Sequence, residues 1–240
     1  MNEVEAVQQY SVALKAGQKY YRDALKRGAY PYPPALDDMV DESRIAGRME
    51  LGIVDIPAEL ISGTKTAGRT PALAGNFMPL LEPDTEFGLK WINLCSAHLS
   101  EEGITDPILC YEYLGQFYVR EGHKRVSVLK SYGSPVIQGR VTRILPKKTE
   151  ELPIALYYEF LDLYKLSGLY TLRFNRPGSS QKMQAALGFA PDHVWTDDEQ
   201  RAVRSLLLRI KNCLTRLNAS EQLPVTDAEA LLIALQVHPF

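Results

Sequence analysis

The first part of the chain has apolar residues at helical spacing. They form one stripe: Val4, Val7, Tyr10, Leu14, Tyr21 and Leu25. Spacings of three, four and seven residues place side chains on one face of an α-helix. The pattern predicts a helix over residues 2–26 that packs through this stripe, and Gly28 is a suitable end for it. The proline-rich residues 30–34 then predict an extended arm.

The pattern changes twice within residues 117–133. Phe117 to Val119 is a short aromatic and β-branched run, which is typical of a strand. Glu121 and Gly122 interrupt it, and apolar residues then recur at helical spacing up to Gly133, a suitable C-cap. This segment therefore predicts a strand, a glycine turn and a helix in immediate succession.

Two further elements are predicted on either side of that segment. Residues 82–101 have the apolar spacing of a helix, with Trp91 and Cys95 on its apolar face. Residues 136–144 alternate as a strand does, and Arg140 and Arg143 give this run charge. Together with Lys147 and Lys148 they form a basic strip. We expect a solvated edge strand protected by charge, with contact to nucleic acid or a nucleotide as the alternative.

The last third of the chain predicts mainly helices. Residues 154–167 are aromatic and helical in spacing, and a short helix is expected over residues 181–187. Thr196 is a good N-cap with Glu199 at the capping-box position, and it predicts a helix to about residue 217. A final helix is expected from residue 225 to 235. Residues 170–174, which alternate, predict a strand.

Composition limits the classes of function. The 240 residues are 45% hydrophobic and 23% charged, as in an ordinary globular protein, and the net charge is −2. This charge argues against broad attraction to DNA, so DNA binding is disfavoured. No apolar run is long enough to span a membrane, and the acidic N-terminus lacks the pattern of a signal peptide. Three unpatterned cysteines favour a reducing compartment, and together these features predict a cytoplasmic protein.

The turn at Gly122 has the chemistry of a phosphate site. A strand that turns directly into a helix directs backbone N–H groups and the positive helix end at one point. His123, Lys124 and Arg125 follow the glycine, so three cationic or potentially cationic side chains stand at this turn. An acidic residue, Glu121, precedes it and can act as a general base or hold Mg²⁺ against phosphate oxygens. No histidine, cysteine or carboxylate spacing resembles a zinc or iron site.

These residues resemble the signature turn of the ParB/sulfiredoxin superfamily, in which a strand, a Gly-x-x-Arg turn and a helix bind nucleotide phosphates. Gly122 matches the family glycine and Arg125 the family arginine. Upstream, Glu102 and Gly103 begin a match to the family's E-G-x-x-x-P-I pattern, and residues 54–61 (VDIPAELI) resemble its first strand and I-P-x-x-x-I corner. The resemblance covers about residues 50–145.

The departures from the family pattern change the expected chemistry. Sulfiredoxin-type members carry a cysteine after the turn glycine, where this chain has His123, so peroxiredoxin repair is not expected. Partitioning members carry a second arginine where this chain has Lys124, which keeps the charge without the bidentate fork. The order Glu121 to Arg125 is closer to the acidic-Gly-His-His-Arg turn of the superfamily's free-serine kinases.

A second basic segment lies at residues 63–70 (GTKTAGRT). It nearly matches the P-loop pattern, with Arg69 in the lysine position, but Pro71 interrupts the helix that should follow. The superfamily resemblance places a basic loop near the nucleotide here. We therefore expect either a second basic wall formed by Lys65, Thr66 and Arg69 or a purely structural loop.

The sequence as a whole predicts an α+β protein in three parts: a helix and arm over residues 1–44, a ParB/sulfiredoxin-like core over 45–148, and a mainly helical region over 149–240. The resemblance implies a regulatory module that binds a nucleoside triphosphate with Mg²⁺ at residues 122–125, with or without slow hydrolysis. The alternatives are a small-molecule kinase of the free-serine type, with Glu121 near the acceptor hydroxyl, and a DNA-associated partitioning or transcription protein. A protein partner or self-association is expected through the N-terminal helix or the C-terminal region.

Overall fold

The computed structural model describes residues 2–100, 103–217 and 225–237, without the side chains of residues 2, 69 and 70. Glu102, part of the family-like pattern, lies outside the described residues. The chain divides into two compact units, Met1–Lys147 and Lys148–Phe240. Within the described residues there are seven α-helices and one five-stranded mixed sheet. The predicted α+β class is therefore confirmed.

The first unit contains the sheet and three helices. The helices are α1 (Asn2–Lys26), α2 (Glu86–His98) and α3 (His123–Ser131). The strands are β1 (Ile45–Pro57), β2 (Ile61–Thr64), β3 (Ile108–Tyr113), β4 (Gln116–Glu121) and β5 (Val136–Pro146). The predicted succession of strand, glycine and helix is present as β4, Gly122 and α3. The helix expected over residues 82–101 is shorter, because Thr85 caps it through a hydrogen bond from Gly88 N.

The strand order in the sheet is β1-β5-β3-β4-β2. β1 pairs antiparallel with β5, and β3 pairs antiparallel with β4, whereas the β3–β5 and β2–β4 pairs are parallel. β5 lies between β1 and β3, so the prediction of a solvated edge strand is wrong. The Arg143 side chain is buried in an ion pair with Glu112, which explains how a charged residue fits an interior strand.

The two faces of the sheet are covered differently. On one face Ile56, Ile108 and Cys110 surround Gly139, so that a Cβ at Gly139 would lie 2.5 Å from Ile56 Cδ1. On the other face Tyr118 and Ile144 pack beneath Leu36, with Val40 and Ile45 at their side. The segment that follows the proline-rich arm therefore covers this second face, and Thr64 N fixes the arm by donating to Pro34 O at 2.9 Å.

The helix α1 has the predicted bounds, but a different face is buried. Ala6, Tyr10, Ala13 and Ala24 are buried with Gly17, where an added Cβ would lie 2.1 Å from Pro79 O. Small side chains allow the helix to approach its neighbours closely, and this close contact decides which face is inside. Three of the six residues of the predicted stripe, Val4, Val7 and Leu25, are therefore exposed, whereas Tyr10 is fully buried.

The second unit is helical throughout its described regular structure. Its helices are α4 (Leu152–Ser167), α5 (Ser179–Ala186), α6 (Asp197–Arg216) and α7 (Asp227–Val237). The predicted capping box of Thr196 and Glu199 is confirmed at the start of α6. The strand predicted over residues 170–174 is wrong. Tyr170, Leu172 and Phe174 are buried, so this irregular segment reproduces the alternation of a strand without pairing as one.

Among the described residues, no helix is both long enough and apolar enough to cross a membrane.

Candidate phosphate site

The candidate site begins at Gly122, between β4 and α3. Its φ of 97° lies in the left-handed region, which disfavours residues with a Cβ. A Cβ at this position would also lie 2.8 Å from Ile108 Cγ2 and 3.2 Å from Arg125 Nε. Glycine therefore meets two separate requirements here, a backbone conformation and a close approach to β3.

The first turn of α3 is basic. The helix begins at His123, followed by Lys124 and Arg125, and no acidic residue lies in this turn. The N–H groups of a first helical turn have no acceptor within the helix, and they carry its partial positive charge. Helix α6, by contrast, opens with Asp197, Asp198 and Glu199, which balance the same partial charge. At α3 positive side chains are added to a positive helix end.

Arg125 lies at the third position of α3 and is half-buried. Its Nη1 donates hydrogen bonds to the carbonyl oxygens of Asp106 and Pro107, both at 2.8 Å. These carbonyls belong to the loop that enters β3, the segment that carries the family-like pattern. Arg125 therefore joins two of the motifs and is held at the turn by its own backbone anchors.

His123 faces the interior. Its side chain is buried, and Nε2 lies 2.8 Å from Thr64 Oγ1 at the end of β2. The Thr64 hydroxyl donates to Val119 O at 3.2 Å. Because a hydroxyl has a single proton, Nε2 of His123 is assigned as the donor to Thr64 Oγ1. His123 thus fixes the turn against β2, and its imidazole is directed away from solvent.

Lys124 extends over α2. Its Nζ lies 4.9 Å from the centroid of the Phe87 ring, within the range of a cation–π contact. The side chain is half-buried. The ammonium group is therefore directed towards the first turn of α2, where Lys90 first and Lys124 in smaller part lower the pKa of Glu86.

Glu121 is the last residue of β4 and is exposed. It pairs in register with Leu109 of β3, at the end of β4 that leads into the turn. No cluster of three histidine, cysteine or carboxylate side chains that could hold a metal ion is found among the described residues. Glu121 is therefore an exposed carboxylate without a metal-binding cluster of these types around it in the described structure.

The loop after β2 lies at the same end of the strands as the Gly122 turn. Lys65 N donates to Val119 O at 2.8 Å, but the Lys65 ammonium group donates to both oxygens of Asp37, at 2.7 and 3.0 Å. Thr66 is exposed. Arg69 lies in the 3₁₀ helix Ala67–Ala72, and its side chain is outside the described part of the structure. This 3₁₀ helix contains Pro71, and an α-helix does not follow it, so the segment is not a P-loop.

A small cavity that no sequence pattern predicts lies on the face of the sheet covered by the segment after the arm. The cavity has a volume of about 170 Å³, and Tyr111 and Ile144 contribute to its lining. The Asp37–Lys65 and Glu42–Arg48 ion pairs line it as well. Each charge is balanced by its partner. No sequence motif marks this cavity, because it is formed by residues from the segment after the arm, β1, the loop after β2, β3 and β5.

Comparisons with protein-family models, with curated proteins and with solved structures found no match to this chain.

Proposed function

We propose that the first unit is a nucleotide-binding regulatory module of the ParB/sulfiredoxin-like type, which binds the phosphates of a nucleoside triphosphate at residues 122–125. The observation that carries this proposal is the basic first turn of α3, directly after a glycine in the left-handed conformation. The order of strand, glycine turn and helix supports it. The ligand class, a nucleotide, comes from the resemblance of residues 50–145 to the ParB/sulfiredoxin superfamily.

Electrostatics gives the physical argument. A cation at the N-terminal end of a helix opposes the macrodipole, at a cost of roughly 0.3–1 kcal/mol for each exposed charge. Arg125, in the first turn of α3, incurs this cost in the free protein. A bound phosphate is attracted both to the guanidinium group and to the helix end, and it also accepts hydrogen bonds from the backbone N–H groups of the first turn. The arrangement therefore gains most from an anion.

The residues have distinct roles in this proposal. Gly122 gives the backbone its turn and its close approach, and His123 anchors the turn to Thr64. Arg125, oriented by its bonds to Asp106 and Pro107, supplies a fixed guanidinium group, and Lys124 supplies a second positive charge. The bound Mg²⁺ would neutralise phosphate charge, and Glu121 is the carboxylate that can meet it.

Nucleotide binding is tested first by thermal shift with ATP, CTP, GTP and UTP in the presence of Mg²⁺. The nucleotide with the largest shift is then titrated by calorimetry against wild type, Arg125→Ala and Arg125→Lys. A charge-assisted contact contributes roughly 1.5–3 kcal/mol, so Arg125→Ala should bind about ten- to a hundredfold more weakly. Arg125→Lys should recover only part of this loss, because lysine lacks the planar fork.

The control removes an equal charge elsewhere in the same unit. Arg44 is exposed and directly precedes Ile45, which pairs with Pro146 at the end of β5 opposite to the α3 turn, so Arg44→Ala should bind as wild type does. Melting temperatures without nucleotide separate binding from folding, because Arg125 also anchors the loop before β3. If none of the four triphosphates shifts the melting temperature of wild type, the proposal is wrong.

The basic residues of α6 favour a second candidate function, in which the second unit contacts nucleic acid. Residues 200–217 contain five basic side chains and no acidic one. Arg204 and Lys211 are seven residues apart and so lie on one flank of the helix, while Arg209 and Arg216 lie on the other flank. Exposed Asn212 lies between the flanks. Basic residues on both flanks suit a helix that contacts the phosphates on both sides of a groove.

This second candidate is tested by fluorescence anisotropy with duplex DNA at several salt concentrations. If α6 binds DNA, Arg209→Gln with Arg216→Gln should weaken binding and reduce its salt slope by roughly two. Arg176→Gln with Lys182→Gln, which removes two basic charges of the same unit outside α6, should have a smaller effect. Weak wild-type binding without a salt slope would exclude this candidate and agree with the net charge of −2.

A further inference from the structure

Lys130 is a half-buried lysine in the last turn of α3, and the groups that it contacts are neutral. Its Nζ donates a hydrogen bond to Ile61 O at 2.9 Å and lies 5.0 Å from the centroid of the buried Phe77 ring. Within the described residues, no carboxylate lies within ion-pair distance of this ammonium group, whereas four other lysines, at positions 26, 65, 90 and 165, are ion-paired with Asp or Glu. Lys130 therefore holds a charge without a counter-ion in direct contact.

The hydrogen bond from Lys130 fastens α3 to β2. His123, the first residue of α3, is bonded to Thr64 at the end of β2, and Lys130 is bonded to Ile61 at the start of the same strand. The helix is thus tied to β2 near both of its ends. The Ile61 carbonyl needs one N–H donor, and nothing in this contact requires a positive charge. A neutral nitrogen that keeps one N–H would preserve the bond.

Burial without a contacting counter-ion penalises the charged form of an amine. It lowers the pKa of Lys130 from 10.5 to about 8, and the exposed Glu59 opposes this shift in part. At pH 7.5 about a quarter of the Lys130 side chains then carry a free amine, compared with about 0.1% for a lysine of ordinary pKa. The free amine is the nucleophilic form, and the side chain is partly exposed, so a small reagent can reach it.

The surroundings of Lys130 distinguish between three modifications of such an amine. A methyl group would leave the nitrogen basic and keep the buried charge. An aldehyde would form an imine, whose neutral nitrogen has no N–H and would lose the bond to Ile61 O. An acyl group would form an amide, which is neutral and keeps one N–H. The amide alone removes the buried charge and retains the hydrogen bond.

We propose that Lys130 is a site of N-acylation by a small acyl phosphate. The nitrogen lone pair attacks the acyl carbon, a C–N bond forms, and the C–O bond to the phosphate breaks. Phosphate leaves with the bonding electron pair, and the proton from the nitrogen passes to solvent. The amide N–H of the product donates to Ile61 O, and the acyl group adds apolar surface beside Phe77. This inference is independent of the proposed nucleotide site.

The proposal is tested by incubating the folded protein with acetyl phosphate at pH 7.5 and measuring acetylation at each lysine by peptide mass spectrometry. Lys19, which is exposed on α1, is the internal control. The larger fraction of free amine favours Lys130, and its lower basicity reduces its nucleophilicity and offsets part of this advantage. We expect Lys130 to be acetylated about tenfold faster than Lys19. A Lys130 rate no greater than that of Lys19 would overturn the proposal.

Two further measurements show whether the fold causes the preference. The Lys130 rate should level off above about pH 8, whereas the Lys19 rate should continue to rise towards pH 10. In urea at a concentration that unfolds the protein, both lysines should react at similar rates. A preference for Lys130 that persists in urea would arise from the local sequence and would overturn the proposal, as would a Lys130 rate that rises with pH in parallel with that of Lys19.

Discussion

The imidazole Nε2 of His123 lies 2.8 Å from the hydroxyl oxygen of Thr64, so the first residue of α3 is hydrogen-bonded to the last residue of β2. These residues are 59 positions apart in the sequence. The bond joins the segment after the I-P-x-x-x-I corner to the glycine turn. It fixes the start of α3 relative to the sheet, and hence the direction of its N–H groups.

Thr64→Val should destabilise the protein by about 1–3 kcal/mol, because it leaves the buried imidazole without its acceptor. Chemical denaturation of both proteins measures this free energy of unfolding. Thr66→Val makes the same chemical change at an exposed residue and should have little effect. Equal effects of the two substitutions would show that the Thr64–His123 bond does not contribute to stability.

Gly122→Ala should cost more stability than Gly133→Ala. Both glycines have a positive φ, 97° and 70°, so both substitutions incur about 1–2 kcal/mol of backbone strain. At Gly122 the new methyl group also meets Ile108 Cγ2 at 2.8 Å, whereas nothing lies within 4 Å at Gly133. In an Ile108→Ala background the extra cost of Gly122→Ala should shrink but not vanish, because the Cβ of residue 108 and Arg125 Nε remain 3.2 Å from the new methyl group. A double-mutant cycle of unfolding free energies can measure this reduction.

The elements that the sequence predicts correctly are those defined by local signals. The turn at Gly122 is marked by an aromatic run, a glycine and a helical spacing within seventeen residues, and α6 is marked by the capping pair Thr196 and Glu199. The failures depend on distant partners. The inner face of α1 is chosen by contact with Pro79, and the interior place of β5 requires Glu112 of β3 to neutralise Arg143.

The candidate site shows the same limit. The sequence places His123, Lys124 and Arg125 together at one turn, since adjacent residues cannot be far apart. It does not show that His123 faces Thr64, or that the Lys65 ammonium binds Asp37 in the cavity. Side-chain direction depends on which distant residues fold against the turn, and no local pattern encodes them.

Replacing only one partner of the ion pair between Arg143 and Glu112 should lower the free energy of unfolding strongly. The Glu112 side chain is fully buried and that of Arg143 is 5% exposed, and the second Glu112 oxygen accepts a hydrogen bond from Gly115 N. Arg143→Met should destabilise by about 3–5 kcal/mol, because it leaves a buried carboxylate without its counter-ion. The double variant with Glu112→Leu should be closer to wild type in urea denaturation. A double variant as unstable as the sum of both single variants would contradict this account.

One thiol should react much faster than the other two with a disulfide reagent in the native protein. Cys213 is exposed, whereas Cys95 and Cys110 are buried. Burial raises the pKa of the Cys110 thiol to about 12, which further reduces its reactive thiolate. The absorbance of the thiolate released from the reagent should show that one equivalent of protein thiol reacts fast. Cys213→Ser should remove this fast phase. A fast phase that persists in this variant would show that a buried cysteine opens to solvent.

Lys130 should make the stability of the protein depend on pH in the alkaline range. Its Nζ donates to Ile61 O at 2.9 Å and lies 5.0 Å from the centroid of the Phe77 ring. Burial lowers the pKa of Lys130 from 10.5 to about 8, and Glu59 opposes this shift in part. Below pH 8 the folded protein must therefore keep a buried ammonium group charged.

The sign of the effect follows from the lowered pKa. The group is more readily deprotonated in the folded state, so its charging penalty is fully present below pH 8 and is relieved as the pH rises towards 10.5. Relative to Lys130→Met, wild type should thus gain up to about 3 kcal/mol of unfolding free energy across this interval. Urea denaturation of both proteins at several pH values measures the difference. Lys19→Met, at an exposed position, reports the effect of removing a lysine charge in general. The rise in the unfolding free energy of wild type can be taken relative to each of the two variants. If this rise is no larger relative to Lys130→Met than relative to Lys19→Met, the Lys130 ammonium is solvated in the folded protein.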